Sequence, residues 1–132
     1  MKKTLILASL ILILALAACS TTPQPAPADA PEADPANTAL ISQGKTVFQA
    51  NCSACHTTAS KDVLVGPSMI GLASRAWGMV DGLNAIGYVE QSILEPAAFL
   101  NEDFQNLMPA TYSNSLSNEE MDALVEYLMT FE

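Results

Sequence analysis

The sequence has few basic residues, one histidine and three cysteines. Five lysines and arginines stand against 14 aspartates and glutamates in 132 residues, a formal net charge of −9. Nucleic-acid binding needs a basic surface, so this balance excludes it as a function. A single histidine excludes any site built from two imidazoles of this chain. No phosphate-binding loop and no paired nucleophile and base are visible, so neither an enzyme nor a small-molecule substrate is predicted.

The first 18 residues read as an export signal. Lys2 and Lys3 precede an apolar run over residues 5–18, which is shorter than the roughly 20 residues needed to span a bilayer. The run ends in Leu-Ala-Ala-Cys, which resembles the lipobox of bacterial lipoproteins. That resemblance implies a lipid on Cys19, which anchors the protein to a membrane of the cell envelope on its extracytoplasmic face. The alternatives are an ordinary signal peptide cut nearby or an uncleaved anchor.

Residues 19–37 comprise the proposed lipidated cysteine and a linker rich in proline, alanine and acidic residues. Such a composition buries too little apolar surface to become ordered, and predicts a disordered, extended spacer. Removal of the signal leaves three basic residues against 14 acidic ones, a formal net charge of −11 before any cofactor is counted. A protein partner with a basic docking face is the natural complement of such a charge.

Cys52, Cys55 and His56 form the motif Cys-Ser-Ala-Cys-His, the attachment signature of covalent c-type haem. Two thiols on one turn of chain can each add to a haem vinyl group, and the adjacent imidazole then reaches the iron. A thioredoxin-like redox pair is expected in a βαβ context that this sequence lacks. A zinc site needs four ligands, and no cysteine or histidine follows residue 56 to complete one. A structural disulfide leaves His56 unexplained, and a haem-free helical lipoprotein requires an accidental motif.

Three helices are predicted around this motif. The first runs from about Thr38 into the motif, and Gly44 on its apolar face predicts close contact with another backbone. A middle helix is predicted from the cap Asn84 to Leu94, before Pro96. The last helix is predicted from a capping box at Ser117 to about Phe131.

Gly44, Phe48, the haem motif, Leu124 and Tyr127 together resemble the class I cytochrome c pattern. The resemblance covers the chain from about Leu40 to its end and implies an all-α domain, residues 38–132, with three main helices around one covalent haem c. In that family the two terminal helices cross and close the haem pocket.

The segment from Tyr88 to Pro96, followed by Met-Pro at residues 108–109, is similar to cytochrome domains of caa-type oxidase subunit II. It is also similar to a monohaem lipoprotein subunit of alternative complex III.

The same resemblance implies further site residues. The carbonyl of Pro67 would hydrogen-bond and orient His56. Apart from the resemblance, the segment Arg75-Ala76-Trp77-Gly78 could reach haem propionates, although a lone tryptophan is more often a core residue. Because the chain has no second histidine, methionine is the leading sixth ligand. Met108, in irregular chain before Pro109, matches the family's distal loop. Met69 and Met79 lie close after the attachment site, whereas packing in the last helix explains Met121 and Met129. Iron ligated by His56 and Met108 implies one-electron transfer between respiratory or photosynthetic redox partners. An open sixth position would instead indicate a haem enzyme or a gas sensor.

Overall fold

A computed structural model describes residues 34–101 and 103–132. Within these ranges the chain forms helices and no strands, which confirms the predicted all-α fold. The three long helices are α1 (Pro35–Asn51), α3 (Ala85–Leu94) and α5 (Asn118–Leu128), and one-turn helices α2 (Leu72–Arg75) and α4 (Tyr112–Ser115) lie between them. None of the described helices has the length and apolar character needed to cross a membrane. The predicted export signal, Cys19 and most of the linker lie outside the described residues.

Helix α1 begins three residues before the predicted start at Thr38. The Asp34 side chain accepts a hydrogen bond of 3.0 Å from the Ala36 amide, which caps the helix. Pro35 occupies the first turn, where its missing N–H has no intrahelical partner to lose. The last three residues of the predicted linker, 35–37, therefore belong to helix α1.

The caps predicted for α3 and α5 are present. Asn84 Oδ1 accepts a hydrogen bond of 2.8 Å from the Gly87 amide, and α3 ends at Leu94. At the start of α5 the Ser117 hydroxyl accepts from the Glu120 amide while the Glu120 carboxylate accepts from the Ser117 amide. Helix α5 ends at Leu128 rather than near Phe131, because the Thr130 and Phe131 amides donate to carbonyls only three residues back, those of Tyr127 and Leu128.

Helices α1 and α5 make the most extensive helix contact in the described chain. A Cβ at Gly44 would lie 1.8 Å from the Ala123 carbonyl oxygen and 2.7 Å from Tyr127 Cβ. Phe48 packs against Tyr127 beside this contact, with ring centroids 5.7 Å apart. The close backbone contact predicted for Gly44 is therefore confirmed.

The apolar core joins the facing sides of the long helices. Val47 and Phe48 of α1, Val89 and Ile93 of α3 and Leu124 of α5 are all buried in one cluster. Several of these side chains also face a cavity that lies beyond the end of α1. The packed helices thus form one wall of that cavity, and the irregular segments supply the others.

Candidate functional site

The cavity has a volume of about 300 Å³, at the lower end of the range of about 300–1,000 Å³ found for small-molecule sites. Its walls come from the end of α1 and the turn after it, residues 65–67 and 69, the start of α2, α3, residues 99–101 and 104–109, α4 and α5. Most of the lining is apolar, and among the described residues no carboxylate, lysine or arginine contributes to it. Such a cavity suits a large apolar group rather than a charged substrate.

The attachment motif forms a tight turn directly after α1. The amides of Cys55 and His56 both donate to the Cys52 carbonyl at 3.0 Å, which brings both thiols and the imidazole to the cavity. Both cysteines are free thiols and half-buried. Burial, and secondarily the neighbouring Cys55, raise the pKa of the Cys52 thiol to about 11. Before any modification Cys52 is therefore a neutral thiol at physiological pH.

The imidazole of His56 is oriented by the backbone of residues 66 and 67. Its Nδ1 lies 2.8 Å from the Pro67 carbonyl oxygen, the contact that the resemblance implies. Because a carbonyl can only accept, Nδ1 carries the proton in this pair, and the lone pair of Nε2 is left for a metal.

Gly66 also packs against this ring. A Cβ at residue 66 would lie 2.3 Å from His56 Cε1 and 2.8 Å from Nδ1. Gly66 is therefore a functional residue to which the sequence assigned no role. A glycine next to Pro67 reads as an ordinary turn, so only the fold reveals its contact with His56.

Two methionines line the cavity, Met69 and Met108. Met69 is buried, and its amide donates to the Thr57 carbonyl at 2.8 Å, so it belongs to the segment that follows His56 and Pro67. Met108 is half-buried and comes from the separate irregular segment between α3 and α4. Met79, Met121 and Met129 do not line the cavity. The structure thus brings Cys52, Cys55, His56, Pro67 and Met108 to one cavity.

Arg75 and Trp77 do not join this site. The guanidinium of Arg75 donates to the main-chain oxygens of Ser68 and Ile70. Trp77 is 67% exposed, and neither residue lines the cavity. In this structure Arg75 instead braces the backbone that follows Pro67, and the contact of this segment with haem propionates stays a prediction.

Tyr112 is a second lining residue that the sequence analysis did not single out. Its hydroxyl donates to the Asn51 carbonyl at 3.0 Å, across 61 residues of sequence. Burial, followed by the nearby Cys52 and Cys55, raises the pKa of the Tyr112 phenol. The group is accordingly a neutral hydrogen-bond donor at physiological pH.

The donor set fits a covalently held haem. Two thiols, one imidazole with Nε2 available and two thioethers meet at a largely apolar cavity, and the set includes the ligands that c-type haem uses. The family model for cytochrome c matches residues 41–132, well over half of the chain. No curated protein sequence gives a significant match. The chain therefore belongs to the cytochrome c family, whose members carry covalent haem c and work in electron transfer.

Proposed function

We propose that this protein is a membrane-anchored monohaem cytochrome that carries single electrons between respiratory or photosynthetic redox partners, with His56 and Met108 as axial ligands. One observation supports it above all: His56, fixed by Pro67, and Met108, from a separate segment, line the same cavity. Ligands that come from two segments can approach an iron from two sides. Met69 is the weaker candidate, because it follows Pro67 closely in the segment that orients His56.

Each site residue has a distinct task in this proposal. Cys52 and Cys55 hold the haem through thioether bonds, and their turn positions it beside His56. The Pro67 carbonyl fixes the imidazole tautomer, so that Nε2 faces the metal. Haem iron with histidine and methionine ligands supplies one-electron redox chemistry at a raised potential and has no free coordination position. Met108 therefore keeps substrates and gases from the metal.

The rim of the cavity favours contact with a protein partner. Val65, Leu100 and Leu107 line the cavity and are nevertheless 52%, 44% and 62% exposed. Their side chains form an uncharged apolar mouth through which a partner can approach the cofactor. The net negative charge of the chain acts at longer range and attracts a partner with a basic docking face.

Membrane attachment is proposed from the sequence around Cys19. The 15 residues between a lipidated Cys19 and the start of α1 at Pro35 reach at most about 47 Å in the polyproline II conformation. Such a tether lets the domain meet partners while it stays at the extracytoplasmic face of the membrane. The likeness to caa-type oxidase domains and to the alternative complex III subunit suggests a role as a fixed subunit or as a tethered carrier.

Replacement of Met108 with alanine tests the sixth ligand. Wild-type ferric holoprotein should show the weak long-wavelength absorption band of sulfur on haem iron, and Met108→Ala should lack it and bind carbon monoxide when reduced. The matched control is Met69→Leu, which removes the other thioether that lines the cavity and should keep the band. A band that survives Met108→Ala but is lost in Met69→Leu would assign the ligand to Met69. A wild-type protein without the band and with ready carbon monoxide binding would favour the haem enzyme or gas sensor.

Replacement of Cys19 with serine tests the anchor. Wild-type protein should incorporate radiolabelled palmitate and sediment with membranes, because the acyl chains are buried in the bilayer. Cys19→Ser should take up no label, and the haem spectrum of the protein that is made should be unchanged. Equal labelling of wild type and variant would show that the lipid is not on Cys19.

A further inference from the structure

The segment that carries Met108 packs against the core through Met108, Tyr112 and Leu116 but makes few hydrogen bonds to the rest of the domain. Its hydrogen bonds are local: the Phe104 amide donates to the Asn101 carbonyl, and the Leu107 amide donates to the Gln105 carbonyl. In α4 the amides of Asn114 and Ser115 donate to the Thr111 carbonyl. Among the described residues, the bond from Tyr112 to Asn51 is the hydrogen bond that joins residues 103–116 to a distant part of the chain.

The acceptor of this bond lies at the attachment motif itself. Asn51 is the last residue of α1 and directly precedes Cys52. Carbonyls in the last turn of a helix have no intrahelical donor and need another partner. The Phe48 carbonyl accepts from the Cys52 amide, and the Gln49 carbonyl accepts from the Ser53 hydroxyl, so both partners are nearby in the chain. The Asn51 carbonyl instead accepts from the Tyr112 hydroxyl, which comes from the separate helix α4.

The covalent distance between Tyr112 and Met108 is short. They are four positions apart, a span of about 14 Å at most, and Pro109 stiffens the connection. Tyr112 is half-buried and packs against the core. A fixed Tyr112 therefore limits how far Met108 can move away from the cavity.

We propose that the Tyr112 hydroxyl is a latch that holds the Met108 segment against the haem-attachment end of α1. Tyr112 is a positioning residue: it acts through Met108 and does not itself touch the metal. This inference rests on the proposed role of Met108 as the sixth ligand. When the latch opens, Met108 can leave the iron, and an added ligand can then bind in its place.

The test is imidazole binding to the ferric holoprotein of Tyr112→Phe, which keeps the ring and removes the hydroxyl. Imidazole can bind only when Met108 is displaced, so its apparent affinity reports the open fraction. Loss of one hydrogen bond should raise that affinity about two- to tenfold. At saturating imidazole, the binding rate approaches the rate at which Met108 leaves, and this limiting rate should rise as well. A purely structural role would lower the guanidinium midpoint without either change.

Tyr127→Phe is the matched control. It removes a hydroxyl that makes no hydrogen bond with the described residues, and Tyr127 lies outside the cavity lining. Its imidazole affinity should equal that of wild type. An equal affinity in Tyr112→Phe, with the long-wavelength band present in wild type and lost in Met108→Ala, would overturn the latch alone. A wild-type protein without the band would overturn both the latch and the proposed ligand.

Discussion

Replacing Gly66 with alanine should displace His56 and disrupt the haem site. The new methyl group would lie 2.3 Å from His56 Cε1, and the imidazole has little room to retreat because Pro67 holds its Nδ1. In the holoprotein the proposed bond from Nε2 to iron fixes the ring further. We expect a lower yield of haem-loaded protein, a mixture of high-spin and low-spin ferric spectra, and a loss of unfolding free energy of about 2 kcal/mol or more.

The control for this variant is Gly78→Ala. Gly78 has a φ of 70°, and no atom lies within 4 Å of its added Cβ. Its cost is backbone strain of about 1–2 kcal/mol, which should lower stability and leave the haem spectrum unchanged. Gly66 lies outside the left-handed region, so its alanine variant tests the contact with the ring. A wild-type spectrum and guanidinium midpoint in Gly66→Ala would mean that the imidazole is not confined by residue 66.

Replacing Gly44 with alanine should separate the terminal helices. The added Cβ would lie 1.8 Å from the Ala123 carbonyl oxygen, and an atom of the α5 backbone cannot rotate away as a side chain can. One whole helix must shift, which also disturbs the packing of Phe48 on Tyr127. We expect a loss of more than about 3 kcal/mol of unfolding free energy, above the usual cost of overpacking.

Gly87→Ala provides the comparison for Gly44. Gly87 is also a helical glycine, but its added Cβ would meet the Asn84 side chain at 3.3 Å rather than a backbone atom. The helix propensity of alanine is about 1 kcal/mol better than that of glycine, which offsets the tight contact. Guanidinium unfolding of the two holoproteins, followed by helix content, should show a small change for Gly87→Ala and a large one for Gly44→Ala. Similar midpoints would show that α5 accommodates the methyl group.

The sequence predicts best those features in which the interacting residues are close along the chain. Asn84 caps α3 through Gly87, and Ser117 pairs with Glu120, so in both cases the donor and acceptor are three residues apart. The position of Gly44 on an apolar helix face also predicts a close helix contact, although it does not name Ala123. Most of the correct predictions about the fold therefore come from short motifs with a fixed spacing.

The sequence does not reveal interactions between residues that are far apart along the chain. The bond from Tyr112 to Asn51 spans 61 residues, and no residue pattern marks it. Trp77 is largely exposed although tryptophan usually favours the core. The site residues gather at one cavity because irregular segments return to the end of α1, a path that helix periodicity does not encode.

The crossing of α1 with α5 has a consequence for the order of events during synthesis. Gly44 meets Ala123, 79 residues later in the chain, so the first and last helices cannot pair until nearly the whole domain has been made. Pairing over such a sequence distance carries a large loop-closure entropy and slows folding. Until then this helix pair cannot close the domain over Cys52 and Cys55, so haem attachment can precede closure.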